Sequence, residues 1–372
     1  MLAGMRILVA GATGYIGSRL VPVLLRRGHE VVAGSSRGAQ PDRFAWGAEV
    51  EWVQLDATDA AQATAATQGV DALCYLVHGL AAPGFRARDR EAARTVRDAV
   101  ASSGVERVVY LSGLVPQDVP VDELSDHLAS RLEVEQVLLD GPAATLSLRA
   151  GMVIGAGSTS YEILRQTASL LLVQPVPAWL RSRVQPISVA DTIRVLADAL
   201  EGTATGSMDI GGPDVVTYPE LLALYAEVAG LTRLQVPALV APVAAVALGA
   251  GLVSAAPWWT AVALTSSLRH DMVCRPGQPD PAVVDLTDAL PLREALRQAA
   301  LPEGRAGRVS ARAPSDPAWV QSSWLERAVE ATGLPGSTLA GSALHVAEHR
   351  ARGLLSLVTR LDPGRNEADP AP

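Results

Sequence analysis

Arg6-Ile-Leu-Val-Ala10-Gly11-Ala-Thr-Gly14-Tyr-Ile-Gly17-Ser-Arg-Leu20 is the stretch on which the fold turns. An apolar, β-branched run is followed by three glycines spaced G-x-x-G-x-x-G and then by helical periodicity over Ile16–Arg27. Strand, glycine turn and helix in that order bring free backbone amides and the positive end of a helix dipole to one point, where a pyrophosphate can sit. The first glycine allows the tight turn, the second a close approach of ligand to backbone, the third close packing of helix on strand. A glycine triplet alone is weak evidence; the strand before it and the helix after it supply the required context. Gly11, Thr13, Gly14, Tyr15, Ile16 and Gly17 are therefore candidate dinucleotide contacts.

Working outward, the same alternation repeats. Glu30–Ala33, Val50–Leu55, Ala72–Val77, Arg107–Leu111, Thr145–Arg149 and Ser207–Ile210 read as strands, with helical spacing at Arg88–Ser102 and Leu128–Leu139 between them. This predicts an α/β fold: a Rossmann, doubly wound parallel sheet with buried strands. The end of the second strand reads cofactor choice. NAD enzymes carry an acid there, about 20 residues past the glycines, to hold the ribose 2′-hydroxyl. This chain has Ser35, Ser36 and Arg37, with no acid until Asp42. Two hydroxyls and a guanidinium suit a 2′-phosphate, so NADP(H) is the expected cofactor. Asp56 and Ala57, after the third strand, are candidates for the adenine edge.

The chain has 372 residues, enough for a large core, and a net charge of −8, which argues against nucleic acid as a partner. Cys74 and Cys274 are the only cysteines, too far apart for a metal-binding spacing, and a reducing cytoplasm is the default expectation. The apolar run at the N-terminus is too short for a signal peptide. No lysine is present; all 31 basic residues are arginine.

The residues resemble the atypical short-chain dehydrogenases/reductases of the NmrA-like, YbjT-like kind. The carriers are Gly11-Ala-Thr-Gly-Tyr-Ile-Gly17, Tyr75-Leu-Val-His-Gly79, Asp89-Arg90 with Ala92-Ala93, Val109-Tyr-Leu-Ser-Gly-Leu114 and His127-Leu-Ala-Ser-Arg131. Leu148-Arg-Ala-Gly-Met-Val-Ile-Gly155, Gln185-Pro-Ile-Ser-Val-Ala-Asp191, Asp209-Ile-Gly-Gly-Pro-Asp214 and Ser267-Leu-Arg-His-Asp271 complete the set, which spans about residues 5 to 300. The resemblance implies a nucleotide-binding domain at 1–155 with 186–212. It implies a smaller, mostly helical substrate domain from insertions at 156–185 with 213–305. Residues 306–372 then read as linker, C-terminal helices and tail. Val77, His78, Gly79 and Ser112 would line the cofactor groove. The pocket would draw on Gly151, Met152, Tyr161, Trp179 and Arg183, the last suited to an anionic or carbonyl oxygen.

Members of that superfamily typically transfer hydride with a Tyr-x-x-x-Lys pair, which a lysine-free chain cannot build. At the dyad position stand His127 and Arg131, four apart and on one helical face. Arg131 would hold the nicotinamide ribose, and His127, at an ordinary pKa of about 6.5, would donate the proton. A plainer reading pairs Arg131 with Glu135. Two functions follow: an NADPH-dependent oxidoreductase reducing or isomerising a small apolar carbonyl, enone or quinone-like substrate, or a non-catalytic NADP(H) sensor of NmrA type. Monomer and homodimer both fit.

Two stretches could mislead. Residues 234–268 carry no charge and approach membrane-span length, but Pro242 and Pro257 interrupt them, so peripheral membrane contact is compatible while a transmembrane span is not expected. His345-Val-Ala-Glu-His349 matches an inverted zinc-protease pattern, yet a solvated helix face is the better reading and no metal site is expected. C-terminal helices are expected near Pro317–Thr332 and Ser342–Leu361, the second docking through Leu344, Ala347, Leu354, Leu355, Val358 and Leu361.

Overall fold

A computed structural model describes residues 4–79, 84–116, 119–238, 242–300, 312, 313, 316, 320, 329, 332 and 337–360. Strands β1 (Arg6–Ala10), β2 (Glu30–Ser35), β3 (Glu51–Gln54), β4 (Ala72–Tyr75), β5 (Arg107–Gly113) and β6 (Ala144–Ala150) lie in one parallel sheet. Helices α1 (Gly17–Arg26), α2 (Ala60–Thr67), α3 (Phe85–Ser103) and α4 (Asp126–Leu139) connect them. Further along come β7 (Val153–Ile154), α5 (Thr159–Leu170), β8 (Val173–Pro177), β9 (Arg183–Val184), β10 (Ile187–Ser188), α6 (Val189–Glu201) and β11 (Gly206–Ile210). The order across the seven-stranded sheet is β11-β6-β5-β4-β1-β2-β3. The sheet reverses direction of growth between β1 and β4, the place where such folds bind ligands at the carboxyl ends of their strands.

All seven strands read from the sequence are in this sheet; the inner ones are apolar runs buried on both faces, while the edge strand β3 exposes Glu51 and Gln54. Ile7 and Val9 face the layer of α1 and α6, while Leu8 and Ala10 face α2, α3 and α4. Each buried Ile or Leu contributes roughly 1.5–3 kcal/mol relative to exposure. The fourth strand ends at Tyr75 rather than Val77. Leu76 still donates to the Ala10 carbonyl at 3.0 Å, and the chain then leaves the sheet.

The remaining elements are β12 (Val216–Thr217), α7 (Tyr218–Val228), β13 (Leu234–Ala238), α8 (Val243–Val253), α9 (Trp258–Ser267), α10 (Leu292–Ala299) and α11 (Ser337–Arg360). Of these, α7 and α10 build with α5 a second core around Tyr161, Leu164, Leu221, Tyr225 and Leu296. Three short pairs, β7–β10, β8–β13 and β9–β12, tie the insertions together. The uncharged stretch is divided among β13, α8 and α9. No helix among the described residues is long and apolar enough to cross a membrane.

Near the C-terminus the structure departs from the sequence reading. Helix α11 packs on α5, and its Ser342, His345 and Val346 are buried, while Ala347 is exposed and Leu344 only half-buried. His345 is thus not on a solvated face. The cause lies in α5, whose buried residues include Glu162, Arg165, Gln166 and Ser169, so its partner presents a polar stripe rather than a purely apolar one. Among the described residues no three His, Cys, Asp or Glu are grouped to hold a metal. The helix expected at Pro317–Thr332 and the tail lie almost wholly outside the described residues, as does Leu361.

Candidate cofactor and active site

The glycine loop closes as its spacing demands. Gly11 takes φ +91°, in the left-handed region that favours glycine, and its amide and that of Ala12 both donate to the Gly34 carbonyl at 3.1 Å. A Cβ on Gly17 would stand 2.3 Å from the Gly11 carbonyl oxygen, so only glycine lets α1 lie this close to the turn. The amides of Thr13, Tyr15 and Ile16 have no hydrogen-bond partner among the described residues. No acid occupies the first turn of α1. This donor set fits a pyrophosphate: free N–H groups and the helix dipole, with no competing carboxylate.

At the end of β2, Ser36 and Arg37 are exposed, and among the described residues no carboxylate pairs with the Arg37 guanidinium. Ser35 differs from expectation. It is buried, and its hydroxyl is occupied locally, accepting from the Arg37 amide at 3.2 Å and from Gln40 Nε2 at 3.3 Å. Ser35 therefore shapes the turn that presents Arg37, while its own hydroxyl proton stays available to a ligand oxygen. Asp56 accepts from the Thr58 amide and hydroxyl through Oδ1, and these bonds hold its carboxyl below the usual range. Among the described residues Oδ2 accepts no hydrogen bond, which suits a base edge. Ala57 is buried beside it.

At the carboxyl ends of β4 and β5 a polar cluster gathers. Val77 and Gly79 are half-buried, His78 exposed, and Ser112 buried at the end of β5. Arg131 donates from Nη1 to Tyr110 Oη at 3.4 Å and to the Leu111 carbonyl at 3.5 Å, both long, and forms no ion pair among the described residues. The pairing with Glu135 does not occur. Glu135 is buried and taken by Arg149 at 2.5 Å and by the Ser147 hydroxyl at 2.7 Å. A guanidinium with no ion pair among the described residues, influenced by Asp89 only at longer range, is suited to ribose hydroxyls or to a developing oxyanion.

His127 lies four residues before it, partly buried, with Nδ1 3.4 Å from Ser267 Oγ. Burial, the Arg131 charge and neighbouring His78 push its pKa down to about 3. At neutral pH it is a neutral imidazole. The imidazolium proton donor expected from the sequence is not its resting state, because both the low-dielectric setting and the adjacent cation disfavour a second positive charge.

One residue of this cluster is absent from the site residues expected from the sequence. Asp89 on α3 is buried, accepts from Ser130 Oγ at 3.0 Å and from the Gly79 amide, and burial raises its carboxyl against the lowering effects of Ser130, Arg131 and Gly79. Its signal was in the sequence: Ala92, Ala93, Val96 and Val100 follow it at helical spacing, placing an acid on the buried stripe.

The expected substrate pocket is largely packed. A Cβ on Gly151 would meet the Gln185 carbonyl oxygen at 1.9 Å, making it a close-packing glycine. Tyr161 is fully buried in the second core, and Met152 and Trp179 pack at its edge. Arg183 is exposed and paired with Asp271 at 2.8 Å, so it is not a waiting anion receptor. Gln185 is also committed, donating to the Gly212 carbonyl and accepting from the Cys274 amide.

A family model described as NAD(P)H-binding matches residues 11–168. Among curated proteins the chain is similar to an uncharacterized protein of Mycobacterium tuberculosis, at 28% identity over 59% of this chain and 23% of that one. It thus spans about a quarter of that relative's length. It is also similar to a 3-diazoavenalumate denitrifying reductase of a Streptomyces species, at 29% identity over 64% of this chain and 86% of that one. Among solved structures, Bordetella bronchiseptica WbmH in complex with NAD+ superposes with a TM-score of 0.59 at 17% identity, over 79% of this chain and 96% of that one. These likenesses agree with the Rossmann fold and with an NAD(P)-binding domain built on the glycine loop.

Proposed function

We propose that this chain, an atypical NAD(P)-binding short-chain dehydrogenase/reductase, is an NADPH-dependent reductase of a small apolar carbonyl, enone or quinone-like compound. The observation that carries the reading is Arg131, a guanidinium in no ion pair among the described residues, at the carboxyl end of the sheet beside Ser112 and His127. When bound, the nicotinamide supplies or takes a hydride. Arg131 orients the ribose and keeps positive charge near the reacting oxygen. His127, as a neutral imidazole, offers that oxygen a hydrogen bond rather than a proton, a role that neutral histidines can fill in polarising carbonyls. Exposed Arg37 supports the phosphorylated cofactor over NAD. The likeness to a Streptomyces reductase supports reduction as the direction.

A second reading has its own observation. With no Tyr–Lys pair and with His127 unable to hold a proton at neutral pH, the same site suits a non-catalytic sensor that binds NADP(H) and reports its state to a protein partner. One experiment divides them. Purified protein is titrated with NADPH and NADH, then NADPH oxidation is followed with a panel of quinones, enones and aldehydes. Turnover lost in Arg131→Ala, with binding retained in His127→Ala, supports the reductase. Tight NADPH binding without turnover on any compound of the panel favours the sensor.

A further inference from the structure

The stretch read as a linker contributes two of the most buried ionic contacts in the described structure. Asp316, whose side chain is 1% exposed, accepts from Arg19 at 2.8 Å through both carboxylate oxygens. Arg19 stands two residues past the third loop glycine. Its guanidinium lies 4.0 Å over the Tyr15 ring and donates to the Tyr15 carbonyl at 3.1 Å and the Ala156 carbonyl at 3.3 Å. Arg312 donates from the same stretch to both oxygens of Glu162 on α5.

The sequence makes room for these contacts. Gly157 adopts φ +89°, and a Cβ there would stand 2.3 Å from Asp316 Oδ2. A Cβ on Gly155 would stand 2.4 Å from the Tyr15 hydroxyl. The two glycines of Gly155-Ala-Gly157 thus clear space for the C-terminal carboxylate and for the tyrosine of the nucleotide loop.

We propose that Asp316 is a positioning residue for the dinucleotide. Through Arg19 it fixes Tyr15, and with it the free Tyr15 and Ile16 amides that face the pyrophosphate, so the C-terminal segment completes the nucleotide site. This rests on the reading of the glycine loop as that site. Asp316 touches no ligand itself. Its contribution is to remove freedom from a loop whose donors must be aligned before binding.

The test separates this role from a merely structural one by using two ligands on the full chain. NADPH spans the loop, whereas 2′-AMP occupies only the adenosine end near Arg37 and Asp56. In Asp316→Asn, which keeps the shape of the side chain, NADPH should bind about tenfold more weakly while 2′-AMP binds as to wild type. Arg19→Lys keeps the charge but loses the paired hydrogen bonds, and it should show the same split should the asparagine variant fail to fold. Equal weakening of both ligands, or of neither, would overturn the proposal alone. Wild-type protein that binds neither ligand would instead remove the premise and the proposal together.

Discussion

At the scale of single residues, the site is set by charges that have partners and charges that do not. Arg149, Arg183, Arg275 and Arg19 each have a carboxylate; Arg37 and Arg131 do not among the described residues. On the proposed reading, Arg37 sets cofactor choice. Arg37→Ala should weaken NADPH binding by roughly 1.5–3 kcal/mol, the worth of a hydrogen bond to a charged group, and leave NADH nearly untouched. Isothermal titration with both nucleotides checks this, and equal losses for the two would exclude a 2′-phosphate contact. His127 makes a pH prediction. With its pKa near 3, it stays neutral from pH 5 to 8, so kcat/KM for any substrate found should show no limb near 6.5 from this residue. A limb near 6.5 that vanishes in His127→Gln would show that nucleotide or substrate raises its pKa on binding. The neutral-imidazole role would then be wrong.

At the scale of elements, legibility followed the range of the interaction. The strands and α1, α3 and α4 could be read because apolar periodicity is local, and the glycine loop because its conformation depends on its own residues. The turn-shaping bonds of Ser35 were not legible, because a serine at a strand end can serve a ligand or its own turn, and the positions of the Arg37 amide and Gln40 lie in the folded geometry. Arg19 and Asp316 lie 297 residues apart, and nothing in either segment announces the other. The polar face of α11 was likewise invisible, since a helix with a mixed surface is rotated by whatever it meets. In α5, Glu162 shows what that mixed packing implies. Burial alone would raise its carboxyl, but Arg312, Arg165 and the Gly157 amide hold it down at about 2. A carboxyl depressed below its unfolded value of about 4.3 stabilises the fold above that pH, and this stability is lost as pH falls toward 2. Glu162→Gln should therefore destabilise at pH 7 by about 3–5 kcal/mol, leaving two buried guanidiniums without their acid. It should also flatten the acid dependence of urea unfolding between pH 4.5 and 2. An unchanged slope would mean that the charge is not held in the folded state.

For the whole molecule, the consequence is that the nucleotide should act as a clamp across distant parts of the chain. The glycine loop belongs to the sheet, Gly155 and Glu162 to the segment leading into α5, and Asp316 to the C-terminal stretch, yet all meet around Tyr15 and Arg19. A ligand binding only the folded form stabilises it by RT ln(1 + [L]/Kd), about 2.7 kcal/mol at a hundred times Kd. NADPH at that excess should raise the thermal midpoint of the chain by a few degrees, and NADH at the same concentration should do so much less. Hydrogen exchange locates the effect. Binding should protect residues 11–19 and 35–37 by direct contact and residues 155–162 indirectly, because they share Tyr15 and Arg19. The apolar helix α8, remote in sequence from the loop and without a charged residue, should exchange unchanged. Protection confined to 11–19 and 35–37 would show that the segment before α5 does not respond to the nucleotide. Cofactor binding and substrate selection would then be separate properties of the fold.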